Sequence, residues 1–178
     1  CREFKRMMNE RGDEQASTLF FRESLLHEMY FSEKPRLAEL TVRYEALRCD
    51  IMQQYYMNKD YDNVIRIATS LDFHDDTDPN ASCLVYYYKA QAYVKLENYP
   101  MAKEAFFREL ELRKKYLGWE DEDTILACQN LGVLHSFCNE REEALACFRE
   151  AYGHEVKKNG EDSEMAQKLL QYISVVES

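Results

Sequence analysis

Residues Cys128 to Ala151 read CQNLGVLHSFCNEREEALACFREA. Apolar residues recur at helical spacing on both sides of a polar break at Asn139-Glu140, so the stretch reads as two helices joined by a tight turn. Gly132 stands inside the first of them. Glycine costs about 1 kcal/mol against alanine in a helix interior, so a packing gain must exceed that cost. Two backbones approach closely only where a side chain is missing. If that is the reason for Gly132, small residues should recur on neighbouring helices at a fixed interval.

The interval is present. Laid over Tyr86–Leu110 (YYYKAQAYVKLENYPMAKEAFFREL), the stretch matches at a constant offset of 42. Ala90 falls on Gly132, Tyr93 on His135, Ala102 on Ala144 and Phe106 on Phe148. Asp50–Leu71 (DIMQQYYMNKDYDNVIRIATSL) falls on the same segment at an offset of 38, placing Tyr55 on Tyr93, Val64 on Ala102 and Ala68 on Phe106. Ala90 and Gly132 would mark the helix crossings, with Ala102 and Ala144 as the facing small residues and Phe106 and Phe148 buried between successive pairs.

Composition agrees with a helical array. Five glycines and three prolines in 178 residues are too few for a sandwich or barrel. The longest apolar block, Cys83 to Tyr88, has six residues, far short of a membrane span. The net charge of −10 disfavours nucleic acid. The densest basic run, Arg113-Lys114-Lys115, suits a helix C-terminus as a solvated face. Six scattered cysteines form no C-x-x-C and sit among apolar residues, which points to a reducing, intracellular (cytoplasmic) setting. No leader opens the chain, and a first residue of Cys reads as a fragment of something longer.

Punctuation gives the helices. They are expected over about residues 2–8, 11–30, 35–57, 61–71, 80–96, 100–117, 124–137, 141–158 and 161–176. Asp78-Pro79 and Asp121 or Asp123 serve as starts, and Gly118 and Asn159-Gly160 as stops. The expected fold class is all-α, a right-handed superhelical stack of antiparallel helix pairs. It forms one domain over 1–178: divergent helices over 1–44, repeats over 45–82, 83–124 and 125–160, and a partial repeat or capping helix over 161–178.

The pattern resembles tetratricopeptide (TPR) repeats: a small residue in helix A, an aromatic three on, an alanine early in helix B and an aromatic four later. ELRKKYLGWEDEDTILACQNLGVL and GEDSEMAQKLLQYI are similar to the longer, kinesin-light-chain-like 42-residue subclass. Met52 stands where a small residue is usual, which would splay the first clear pair. Arg48, Glu109 and Arg141 stand where apolar residues are usual. Leu169, Leu170, Ile173 and Val176 would pack as a cap or stay partly bare and invite dimerisation.

The resemblance implies a concave binding face built from the A helices. The first would present Gln53, Tyr56 and Met57, the second Leu84, Tyr87, Tyr88, Gln91 and Lys95, and the third Gln129, Asn130, Val133 and Phe137. Amides can pair with peptide backbone, and tyrosines supply contact area with a polar tip. Tyr86 is expected in the core. In TPR domains an Asn at the place of Asn130 holds peptide backbone. The lysines of the chaperone-tail clamp are missing, so a basic or amphipathic protein segment suits the acidic chain better than an acidic tail.

No catalytic set and no cofactor motif stands out. Asp72, His74, Asp76 and Asp78 have calcium-loop spacing but lack the central glycine and the closing glutamate. His135, Cys138 and Cys128 read as repeat positions rather than zinc ligands. The expected role is a non-catalytic protein-interaction module. The alternatives are a regulatory domain of a larger enzyme or sensor that holds an internal autoinhibitory segment, or a self-assembly module forming homo-oligomers.

Overall fold

The computed structural model describes residues 37–69 and 79–178, with side chains from Leu47 onward. The helices expected before residue 35 and the Asp72–Asp78 run lie outside the described residues. The rest is all-α: α1 (Leu37–Met57), α2 (Tyr61–Thr69), α3 (Pro79–Lys95), α4 (Tyr99–Tyr116), α5 (Glu122–Phe137), α6 (Arg141–Asn159) and α7 (Glu164–Glu177), with no strand among the described residues.

The three hairpin turns are copies of one another. Lys59, Glu97 and Asn139 adopt φ values of 60°, 58° and 60°. The N–H of the residue that follows each one reaches back five positions, from Asp60 to Tyr55, Asn98 to Tyr93 and Glu140 to His135, each at 2.9 Å. The left-handed residue itself bonds three back, Lys59 to Tyr56, Glu97 to Val94 and Asn139 to Ser136. This pair of bonds satisfies the last carbonyls of the outgoing helix. The carbonyls of Asp60, Asn98 and Glu140 then accept from Val64, Ala102 and Ala144 to open the next helix. The intervals are the 38 and 42 residues found in the sequence.

Caps fix the other boundaries. The Asp121 side chain accepts from the Thr124 N–H at 3.2 Å, and Asn98 accepts from Met101 at 3.5 Å. Gly118, at φ 74°, closes α4. The last helix starts at Glu164, three residues later than the periodicity places it, because Ser163 Oγ accepts from the Ala166 N–H at 3.0 Å.

Packing is nearly one-dimensional. Each helix packs on the next, and α1 also packs on α3. One apolar cluster joins α1, α2 and the start of α3 around Ile51, Val64 and Val85; a second runs from Ala90 through Phe106, Leu131 and Phe148 to Leu169. Met52 is fully buried in the first cluster. In the second, a Cβ at Gly132 would lie 2.8 Å from Phe148 Cε1 and 3.0 Å from Cys147 Cβ. The glycine therefore makes room for an aromatic ring of α6. Phe148 in turn stacks on Tyr172, with centroids 5.1 Å apart, and Leu169 is fully buried. These contacts dock α7 as a cap, while Leu170 and Val175 stay exposed.

The three polar departures from the repeat all make bonds. Arg48 is buried and its Nη2 donates to the carbonyls of Ile67 at 2.7 Å and Ala68 at 3.3 Å, so a cation closes the C-terminus of α2. Arg141 donates to the Glu177 carbonyl and ties α6 to the end of α7. Glu109 is buried beside Arg113, which is also buried and not on a solvated face.

Two substitutions test this packing. Gly132→Leu should destabilise the chain by about 3 kcal/mol or more, because the side chain must displace the Phe148 ring. Gly132→Ala should cost much less, since helix propensity offsets part of the clash; urea unfolding checks both. Separately, Glu97→Gly should stabilise by about 0.5–1 kcal/mol by relieving the left-handed conformation, read as a rise in melting temperature.

Candidate functional site

A groove lies between α3 and α5, which are not among the closely packed helix pairs. It encloses about 380 Å³. Gln91, Val94 and Lys95 of α3 form one wall, Asn130, Val133 and Phe137 of α5 the other, and Tyr99 and Phe106 of α4 the floor. Phe137 is 66% exposed and Val133 41%, so both present apolar surface to the cavity. The Phe137 ring sits 5.2 Å from Tyr99. Thus five of the expected site residues, Gln91, Lys95, Asn130, Val133 and Phe137, share one cavity.

The tyrosines form a separate ladder toward the N-terminal end. Tyr56 lies 5.9 Å from Tyr88, Tyr88 5.4 Å from Tyr87, and Tyr87 6.5 Å from Phe106. Tyr56, Tyr87 and Tyr88 are half-buried, and burial raises all three phenol pKa values above the usual tyrosine range. Gln53 and Met57 are exposed nearby in α1, outside this ladder.

Two expectations are corrected. Gln129 is buried, with its Oε1 lacking a partner, and does not face the groove. Its counterpart at the 42-residue interval, Tyr87, packs its ring on Phe106, and a shorter side chain at that seam ends inside it. Tyr86 is half-buried and belongs to neither core cluster, with the Lys89 ammonium 6.0 Å from its ring. Its counterpart Cys128 is fully buried, and a phenol is too large for the space that a thiol fills.

His135 and Cys128 have protein partners. His135 Nδ1 lies 2.6 Å from Glu140 Oε2, and Lys103 pairs with the same carboxylate. Cys128 Sγ donates to the Cys147 carbonyl at 3.3 Å. Among the described residues no group of His, Cys, Asp or Glu is arranged to hold a metal ion, and no helix is long and apolar enough to cross a membrane.

Sequence reading did not place a second, smaller cavity of about 140 Å³, which lies under the N-terminal halves of α3 and α5. Leu84 and Leu126 form its exposed rim, Tyr87 and Asn130 its sides, and Glu109 and Arg113 of α4 its interior. Arg113 Nε donates to Glu109 Oε1 at 2.8 Å, and Nη1 donates to Asp123 Oδ2 at 3.3 Å. Glu109 Oε2 is buried without a partner. Asn130 borders both cavities. The only available signal was that Glu109 occupies an apolar repeat position four residues before an arginine.

The chain is similar to the crystal structure of BtubC (BKLC) from P. vanneervenii, with a TM-score of 0.56 and 17% identity over 92% of this chain. The match covers 65% of that chain, so the present chain spans about two-thirds of its length. No protein-family model and no curated protein matches. At this identity the likeness shows the fold alone: an all-α, TPR-like repeat stack.

Burial lifts the Glu109 carboxyl from its ordinary 4.5 to about 7, only partly opposed by the attraction of Arg113. The folded chain therefore holds a proton that the unfolded chain releases near pH 4.5. Stability should fall as pH rises through the window from about 4.5 to 7, by on the order of 3 kcal/mol, and then level off. Glu109→Gln should remove that component. Urea unfolding of both proteins between pH 4 and 8 checks it through the difference between the two curves.

Proposed function

We propose that the chain is a non-catalytic protein-interaction module whose α3–α5 groove takes an extended segment of a partner protein. The observation that carries this is the exposure of Phe137 and Val133 in a cavity of about 380 Å³ also lined by Gln91, Lys95 and Asn130. Apolar walls supply contact area, and the amides can hold peptide backbone in register. Repeats over 45–82, 83–124 and 125–160, with 161–178 as a cap, are the units of this reading, in the kinesin-light-chain-like subclass. The net charge of −10 favours a basic or amphipathic segment. Six cysteines scattered among apolar residues, with no C-x-x-C, favour a reducing, intracellular compartment.

Selection of displayed dodecapeptides against the chain tests the groove. Asn130→Ala and Phe137→Ala should each weaken the selected peptides by about tenfold or more. Phe107→Ala, at an exposed aromatic that does not line the groove, should leave them unchanged. Equal binding by all four proteins, measured by titration calorimetry, would refute this assignment.

A further inference from the structure

We propose that the smaller cavity is a subsite for one lysine side chain of the segment bound in the groove, with Glu109, Asp123 and Asn130 receiving its ammonium. This deepens the groove reading and rests on it.

Three observations support the subsite. The first is an uncommitted acceptor. Glu109 is 1% exposed and lines the cavity, yet its Oε2 has no partner. A buried carboxylate oxygen left without a donor is costly, so the site gains from a donor that fits. The second is charge. Arg113 already donates its Nε to Glu109 and its Nη1 to Asp123. Two carboxylates and one guanidinium leave a surplus of one negative charge when both acids are ionised. That surplus disfavours an anionic guest and favours a cation.

The third observation is shape and donor count. A cavity of about 140 Å³ with an apolar rim of Leu84 and Leu126 matches a narrow methylene stem ending in a charge. An ammonium brings three donors, and Glu109, Asp123 and the Asn130 carbonyl offer three acceptors. A guanidinium brings five in a flat fork, more than this set can satisfy. Asn130 also borders the main groove, so the two cavities adjoin at that residue.

The arrangement also makes binding depend on pH. Glu109 faces Arg113 on its own helix, Tyr87 from α3 and Asp123 from α5. Its carboxyl titrates near 7, so a lysine guest binds more tightly above that pH, where the carboxylate is ionised, and more weakly below it.

The test uses the whole chain, labelled with ¹⁵N and titrated with n-butylammonium chloride at pH 8, with n-pentanol as the uncharged match. The ammonium should shift the Tyr87, Asp123 and Asn130 amides saturably. Affinity should fall about tenfold in Glu109→Gln and about threefold in Asp123→Asn, and it should fall in the parent chain at pH 6. Asp123 is largely exposed, so its variant reads the site even if Glu109→Gln fails to fold. Equal affinity in the parent chain and Asp123→Asn, or n-pentanol binding as tightly as the ammonium, overturns the subsite. A second arm uses the selected dodecapeptides: replacing lysine by norleucine should weaken binding about tenfold. Binders indifferent to lysine overturn the subsite and leave the groove standing. Ammonium binding with no peptide binders overturns the groove and leaves the cation site.

Discussion

The structure depends on a ring seated where a side chain is missing. Phe148 Cε1 would stand 2.8 Å from a Cβ at Gly132, so no other residue at 132 leaves the ring in place. The same ring stacks on Tyr172, so one aromatic sets both the approach of α6 to α5 and the docking of α7. Its counterpart one interval earlier, Phe106, lies beneath the α3–α5 groove and touches Tyr87. The packing unit that stacks the hairpins is therefore also the floor of the candidate binding surface. Core and site cannot be varied independently at Phe106.

The turns add a second constraint. Three hairpins close on a left-handed residue, and none of the three is glycine. Lys59, Glu97 and Asn139 accept a strained backbone because the pair of hydrogen bonds around each satisfies carbonyls that would otherwise be orphaned. Residue type alone does not announce such a turn at Lys or Glu. The fixed interval does, since the three positions are equivalent once the repeat is aligned.

This explains which parts were legible in the sequence. Helix order and most boundaries follow from periodicity, caps and Gly118, and five groove residues follow from repeat position. Gln129 and Tyr86 did not, because repeat position gives the direction of a side chain and not its length. Cys128 disappears into a space where Tyr86 cannot, and Gln129 ends in a seam that Tyr87 overreaches. Arg48, Glu109 and Arg141 looked like flaws in an apolar pattern. Arg48 and Arg141 meet carbonyls brought close only by folding, at Ile67 and Glu177, while Glu109 meets Arg113 one turn along its own helix. No reading of one helix at a time could find the carbonyl partners of the two arginines.

The two cavities constrain what could lie across them. Both border Asn130, and α5 carries the rim of the small one at Leu126 and the far wall of the large one at Phe137. Seven residues of helix from Asn130 to Phe137 span about 10 Å, and eleven from Leu126 span about 16 Å. An extended chain advances about 3.3 Å per residue. A segment running along α5 would thus place an apolar anchor near Phe137 about three to five residues from a lysine at Glu109. The smaller cavity encloses the buried Glu109 carboxyl, and the larger one presents exposed Phe137 and Val133, so the two ends of such a segment need different chemistry. A uniformly basic or uniformly apolar segment would satisfy one cavity and leave the other with an unmet demand: a buried carboxylate without its donor, or exposed Phe137 and Val133 without cover.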